Sequence, residues 1–158
     1  MPGLEQEVGD LLRSKGLMLG VVESATGGLI SHLITSVPGS SDYFKGSITA
    51  YSNEIKIKIV GVKADTIAQY GAVSHQVAEE MALEGRKALV VDICLADTGI
   101  AGPGGATVGK PVGLFYLGLA HDGGTFSRKH IFTGDREQNK RSAAESALSW
   151  LKGYLTDS

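Results

Sequence analysis

Short apolar runs of strand length alternate along this chain with segments of helical period, and that alternation limits the folds open to it. Residues 17–22 form one such run, bounded by Gly16 and Ser24, and residues 90–96 form another, apolar enough to be buried on both faces. Residues 46–51 read as a further strand. Helical segments lie between and around them at 4–12, 29–34, 52–59, 64–70 and 74–89, with Ser74 capping the last of these and Val77, Met81 and Ala88 forming its apolar stripe. Two late strands, 112–120 and 125–132, meet at Asp122-Gly123-Gly124, a hairpin signal, and Asp135 caps a closing helix that runs through Leu155. The pattern predicts an α/β fold, a three-layer α/β/α arrangement with a mixed, mostly parallel sheet, in one domain over residues 1–158.

Composition excludes several functions. Fifteen Lys+Arg against seventeen Asp+Glu give a net charge of −2, so no global field draws the chain to nucleic acid or to an anionic membrane. The longest uncharged apolar stretch, 111–120, is far too short to span a bilayer, and the acidic N-terminus lacks the pattern of a signal peptide. A single cysteine, Cys94, fits a reducing cytoplasm, and the four histidines lack metal-ligand spacing. The expected partner is a small molecule, with no metal and no cofactor.

Three places could carry chemistry. At Glu23-Ser24-Ala25-Thr26-Gly27-Gly28 a strand-to-helix turn presents a serine hydroxyl, with the backbone N–H groups from Ala25 to Gly28 free to hold a phosphate or an oxyanion. On spacing alone Ser24 or Thr26 reads more readily as a plain helix cap. At Tyr51-Ser52-Asn53-Glu54-Ile55-Lys56 a lysine follows the next strand; desolvated beside a serine it could serve as base, and in solvent it is an ordinary helix lysine. The third place is glycine-rich: nine of the 22 glycines fall within 99–124. Residues 104–110 match the first seven positions of a phosphate-binding P-loop. Pro111 stands where that motif needs Ser or Thr, and a strand follows where it needs a helix, which excludes a nucleoside triphosphatase. What remains is a loop, 98–105, whose backbone can approach a ligand closely or make a tight crossover. Ser149-Trp150-Leu151-Lys152 fits Ser-x-x-Lys without any accompanying motif and reads as chance.

Taken in order, Glu23-Ser24-Ala25-Thr26-Gly27-Gly28, Gly39-Ser40-Ser41, Tyr51-Ser52-Asn53-Glu54 with Lys56, Gly61-Val62, Gly71-Ala72-Val73-Ser74, Thr98-Gly99-Ile100-Ala101-Gly102-Pro103, Lys110-Pro111-Val112-Gly113 and Gly134-Asp135-Arg136 carry a resemblance over nearly the whole chain. It resembles the C-terminal domain of the CinA (competence/damage-inducible) family, in its stand-alone nicotinamide-nucleotide amidohydrolase form. The resemblance implies hydrolysis of the carboxamide of nicotinamide mononucleotide to nicotinate mononucleotide and ammonia. It places a nucleophile at Ser24, a base at Lys56 and an orienting or relaying tyrosine at Tyr51. Substrate contacts are expected from Ala25, Thr26, Gly27, Gly28, Asn53, Gly99, Gly102, Gly104, Arg136 and Arg141, with Lys140 a further candidate for the ribose phosphate. Many members of the family carry cysteine directly after this serine; Ala25 stands there here, which favours serine as the nucleophile. The resemblance further implies a homo-oligomer, no room for the molybdopterin-binding-like domain of longer members, and, as the alternative to an enzyme, a non-catalytic nucleotide-sensing or partner-binding module.

Overall fold

A computed structural model of the chain describes residues 3–157. Its sheet has five strands: β1 (Leu19–Glu23), β2 (Phe44–Thr49), β3 (Ile93–Gly99), β4 (Leu114–His121) and β5 (Gly124–Ile131), in the order β2-β1-β3-β4-β5. β1 pairs in parallel with β2 and β3, whereas β4 runs antiparallel to both β3 and β5. Four strands therefore point one way and β4 opposes them. The apolar runs mark the middle of the sheet, since every residue of β1 is buried, while the edge strands β2 and β5 alternate and leave one side to solvent.

The two faces follow from the period of two along each central strand. Leu19, Val21, Ile93 and Leu95 project to one side, where α1 (Leu4–Lys15), α2 (Leu29–Thr35) and α6 (Arg136–Asp157) cover them with Val8, Leu12, Ile30, Leu148 and Leu151. Val22, Cys94 and Ala96 project to the other, against Val77, Met81 and Ala82 of α5 (His75–Leu89). Gly118 lets α5 approach β4 closely, because a Cβ there would sit 2.3 Å from the Ala78 carbonyl oxygen. The hairpin joins at Asp122 and Gly123, and Asp135 caps α6 as expected: its Oδ1 accepts from the Gln138 N–H while Gln138 Oε1 accepts from the Asp135 N–H.

The connections decide where a ligand can sit. The chain passes from β1 outward to β2 by way of α2, then returns across the opposite face through α3 (Asn53–Ile55), α4 (Ala64–Tyr70) and α5 to enter β3 on the other side of β1. Strand order thus reverses around β1 and β3, and a crevice opens beyond their carboxyl ends. Among the described residues no helix is long and apolar enough to cross a membrane.

Candidate active site

Ser24 is the first residue past β1, Tyr51 and Asn53 follow β2, and residues 99–105 run from the end of β3, so the three segments meet at that crevice. Together they line a cavity of about 330 Å³ that includes Ser24, Ala25, Tyr51, Lys56, Thr98 and Arg136. A larger hollow of about 500 Å³ between β5 and the C-terminal half of α6 holds no such combination of groups.

Lys56 opens a π-helical turn, Lys56–Val60, an irregular geometry that recurs at functional positions. The wider turn carries its side chain inward. Lys56 is only 2% exposed, and its Nζ donates to Ser24 Oγ across 2.9 Å and to the Tyr51 backbone carbonyl across 3.3 Å. Burial pushes the amine below the ordinary lysine range, with the charge of Asp97 pulling the other way. A neutral amine at this distance reverses the contact: the Ser24 hydroxyl then donates to the nitrogen lone pair, the arrangement a nucleophile and its base require.

The turn after Ser24 is held from below by two buried carboxyls. The Glu23 side chain accepts from the N–H groups of Gly28, Ile30 and Ser31 and from the hydroxyls of Thr26 and Ser31, which supplies the start of α2 with the cap that Gly28 cannot provide. Gly27 and Gly28 are needed for geometry, having φ values of 61° and 104°. Asp97 accepts from the N–H groups of Ser24 and Thr26 and contacts the Thr26 hydroxyl. Burial lifts its carboxyl to about 6, against the lowering effect of the Thr26 hydroxyl and with the Glu23 charge raising it further.

These bonds correct part of the expectation for the turn. Of the four N–H groups from Ala25 to Gly28, Thr26 gives its hydrogen to Asp97, Gly27 to the Ser24 carbonyl and Gly28 to Glu23. Of these four N–H groups, that of Ala25 alone has no acceptor among the described residues, and Ala25 lines the cavity. Thr26 is 1% exposed and is spent on the carboxyls, so it offers no side chain to a ligand. Gly27, Gly28 and Arg141 line a separate hollow of about 310 Å³ with His32 and Lys140. The structure does bring Asn53, Gly99, Gly102, Gly104 and Arg136 to the Ser24 cavity.

Tyr51 stands differently from a relay. Its side chain is exposed and its hydroxyl accepts from Arg136 Nη2 at 3.1 Å, while Arg136 Nη1 donates to the Gly102 carbonyl at 2.8 Å. The Ser24–Lys56 contact is direct, and Tyr51 with Arg136 forms the rim of the cavity. The sequence does not show Glu23 and Asp97 as a working pair, although Glu23 ends the buried strand β1 and Asp97 follows the apolar run of β3, both fully buried, a costly placement that signals a specific partner. The decoys behave as decoys. Lys110 donates to the Tyr70 carbonyl, Lys152 pairs with Glu7, and burial pushes the Cys94 thiol up to about 12.

A family model described as the CinA C-terminal domain matches residues 2–155. The chain is 49% identical over 145 residues to a CinA-like protein of Syntrophomonas wolfei, covering 91% of this chain and 35% of that protein, and 44% identical over 159 residues to a CinA-like protein of Chloroherpeton thalassium, covering 98% and 38%. It spans little more than a third of the length of these curated relatives. Among solved structures it is similar to a competence-damaged protein (CinA) superfamily protein of Klebsiella pneumoniae, with TM-score 0.95, 28% identity and coverage of 98% of this chain and 97% of that one. It is also similar to the competence/damage inducible protein CihA of Agrobacterium tumefaciens, with TM-score 0.90, 32% identity and coverage of 99% and 98%.

Proposed function

The chain belongs to the CinA C-terminal domain family, and on that basis we propose that it is an amidohydrolase that converts nicotinamide mononucleotide to nicotinate mononucleotide and ammonia. The observation that carries the reading is the buried contact between Ser24 Oγ and Lys56 Nζ at 2.9 Å, in a cavity of nucleotide scale.

The neutral Lys56 amine takes the proton of Ser24 as its oxygen attacks the carboxamide carbon. Negative charge develops on the carboxamide oxygen, where the unspent Ala25 N–H is the available backbone donor. Lys56, now an ammonium, returns the proton to the leaving nitrogen, ammonia departs, and the nicotinoyl group remains as an ester on Ser24. Water, deprotonated by the same amine, cleaves the ester and restores the serine. In this reading Arg136, which bonds the Gly102 carbonyl and the Tyr51 hydroxyl at the rim, meets the substrate phosphate with its remaining N–H groups.

The test is a substrate panel. Purified protein incubated with nicotinamide mononucleotide releases ammonia and leaves the acid product by mass, and nicotinamide riboside, which lacks the phosphate, reacts with a higher KM. No ammonia from any nicotinamide compound contradicts the reading and favours the non-catalytic, nucleotide-binding alternative.

A further inference from the structure

The Thr26 hydroxyl sits between two buried carboxyls. Its Oγ1 lies 2.6 Å from Glu23 Oε1 and in short contact with Asp97 Oδ2, yet a hydroxyl has one hydrogen to give. Counting hydrogens decides the order of the chain. Glu23 already receives four other donors, from the N–H groups of Gly28, Ile30 and Ser31 and from the Ser31 hydroxyl, so it is the accepting end. Asp97 Oδ2 receives only the Ser24 N–H besides, and Oδ1 the Thr26 N–H. A proton on Asp97 Oδ2 completes the sequence: Asp97 donates to Thr26, and Thr26 donates to Glu23. Without that proton, one hydrogen serves two carboxylates in a site from which water is excluded.

Asp97 and Lys56 meet on Ser24: Asp97 Oδ2 accepts the Ser24 N–H at 3.2 Å while Lys56 Nζ lies 2.9 Å from Ser24 Oγ, close enough for the Asp97 charge to favour the ammonium. The charged groups around the two are few. Glu23 faces Asp97 from the end of β1, Leu117 is its neighbour on β4, and Arg136 of α6 turns to Gly102 and Tyr51. No ion pair within 4.0 Å joins Lys56 to Asp97 among the described residues.

We propose that Asp97 is a positioning residue for the base: Asp97 and Lys56 hold one proton between them, and the attacking state has it on the Asp97–Thr26–Glu23 chain, leaving the Lys56 amine free. This rests on the reading of Ser24 and Lys56 as nucleophile and base. The exchange balances without any co-reactant. Lysine ammonium and aspartate carboxylate become amine and carboxylic acid, one proton leaving the first group and one reaching the second. Burial favours this neutral pair, because desolvation penalises both ions at once, and it moves the two groups toward one another, raising Asp97 to about 6 and lowering Lys56. Ionised Asp97 does the reverse, favouring the ammonium and withdrawing the base.

The experiment is a carbon-13 NMR titration of protein labelled at the lysine ε-carbons and aspartate carboxyls, with no substrate present, assigned with Lys56→Met and Asp97→Asn. In the wild type the Lys56 resonance inflects where the Asp97 carboxyl titrates. In Asp97→Asn that inflection is gone and Lys56 loses its proton about one pH unit lower, as removal of a nearby opposite charge demands. The acid limb of kcat/KM moves the same way. A Lys56 titration unchanged in Asp97→Asn, or an Asp97 carboxyl that titrates without any echo at Lys56, overturns the proposal. If Asp97→Asn does not fold, the wild-type inflection decides alone. Coupled titration without ammonia release counts against the amidohydrolase reading only, and ammonia release without coupling counts against this proposal only.

Discussion

At the scale of single residues, the site depends on which hydrogen bonds are already spent. Ser24 and Lys56 touch directly, so the Tyr51 hydroxyl has no proton to relay between them and instead braces Arg136. Tyr51→Phe should therefore raise KM several-fold and leave kcat little changed, because it disturbs binding and spares the proton path. Steady-state kinetics checks this, and a fall in kcat of the kind seen for loss of a base would restore Tyr51 to the chemistry. Sequence could name Ser24 and Lys56 because family motifs mark them, whereas it had no means of dividing the four N–H groups of the turn between free and engaged. That division depends on Glu23 and Asp97, and Asp97 lies 71 residues from Thr26 along the chain.

Elements were legible where apolar runs were long and blurred at their ends. The apolar run 90–96 predicts β3 there, yet the strand runs Ile93–Gly99, because Val90 closes α5 and because Asp97 and Thr98, polar in sequence, are buried by partners on other segments. The 52–59 helix is real but breaks into a π turn at Lys56, a change that no propensity announces. Val90 makes a testable point: it is a β-branched, exposed residue in the left-handed conformation at φ 54°. Val90→Gly should stabilise the protein by about 0.5–1 kcal/mol, the left-handed penalty less the flexibility of glycine, read as a raised urea midpoint with unchanged slope. Gly118→Ala should do the opposite. Its Cβ would press on the Ala78 carbonyl of α5, and denaturation should show a loss of about 2 kcal/mol.

For the molecule as a whole, sequence foretold the layers and the hairpin, but the reversal of strand order that opens the crevice is a property of the assembled sheet. Placing a lysine and two acids beneath that crevice costs stability. The folded chain holds the Asp97 proton more tightly than the unfolded chain does, so the stability it contributes is complete below pH 3.8 and is lost as the pH rises through about 6, a change of roughly 3 kcal/mol. Asp97→Asn should flatten that part of the stability profile. Lys56 has the opposite sign, since its depressed folded value makes the buried amine costly wherever the unfolded chain is protonated. Lys56→Met should accordingly raise stability, read as a higher midpoint in a thermal melt at neutral pH, while removing activity. The most direct test of the account is the rate of ammonia release from nicotinamide mononucleotide by the wild type, Ser24→Ala and Lys56→Met under identical conditions. The Ser24–Lys56 mechanism predicts release by the wild type and a loss of about 10³-fold or more in each variant, with the double variant no worse than either single one. Undiminished release by Ser24→Ala, or by a stably folded Lys56→Met, would contradict it.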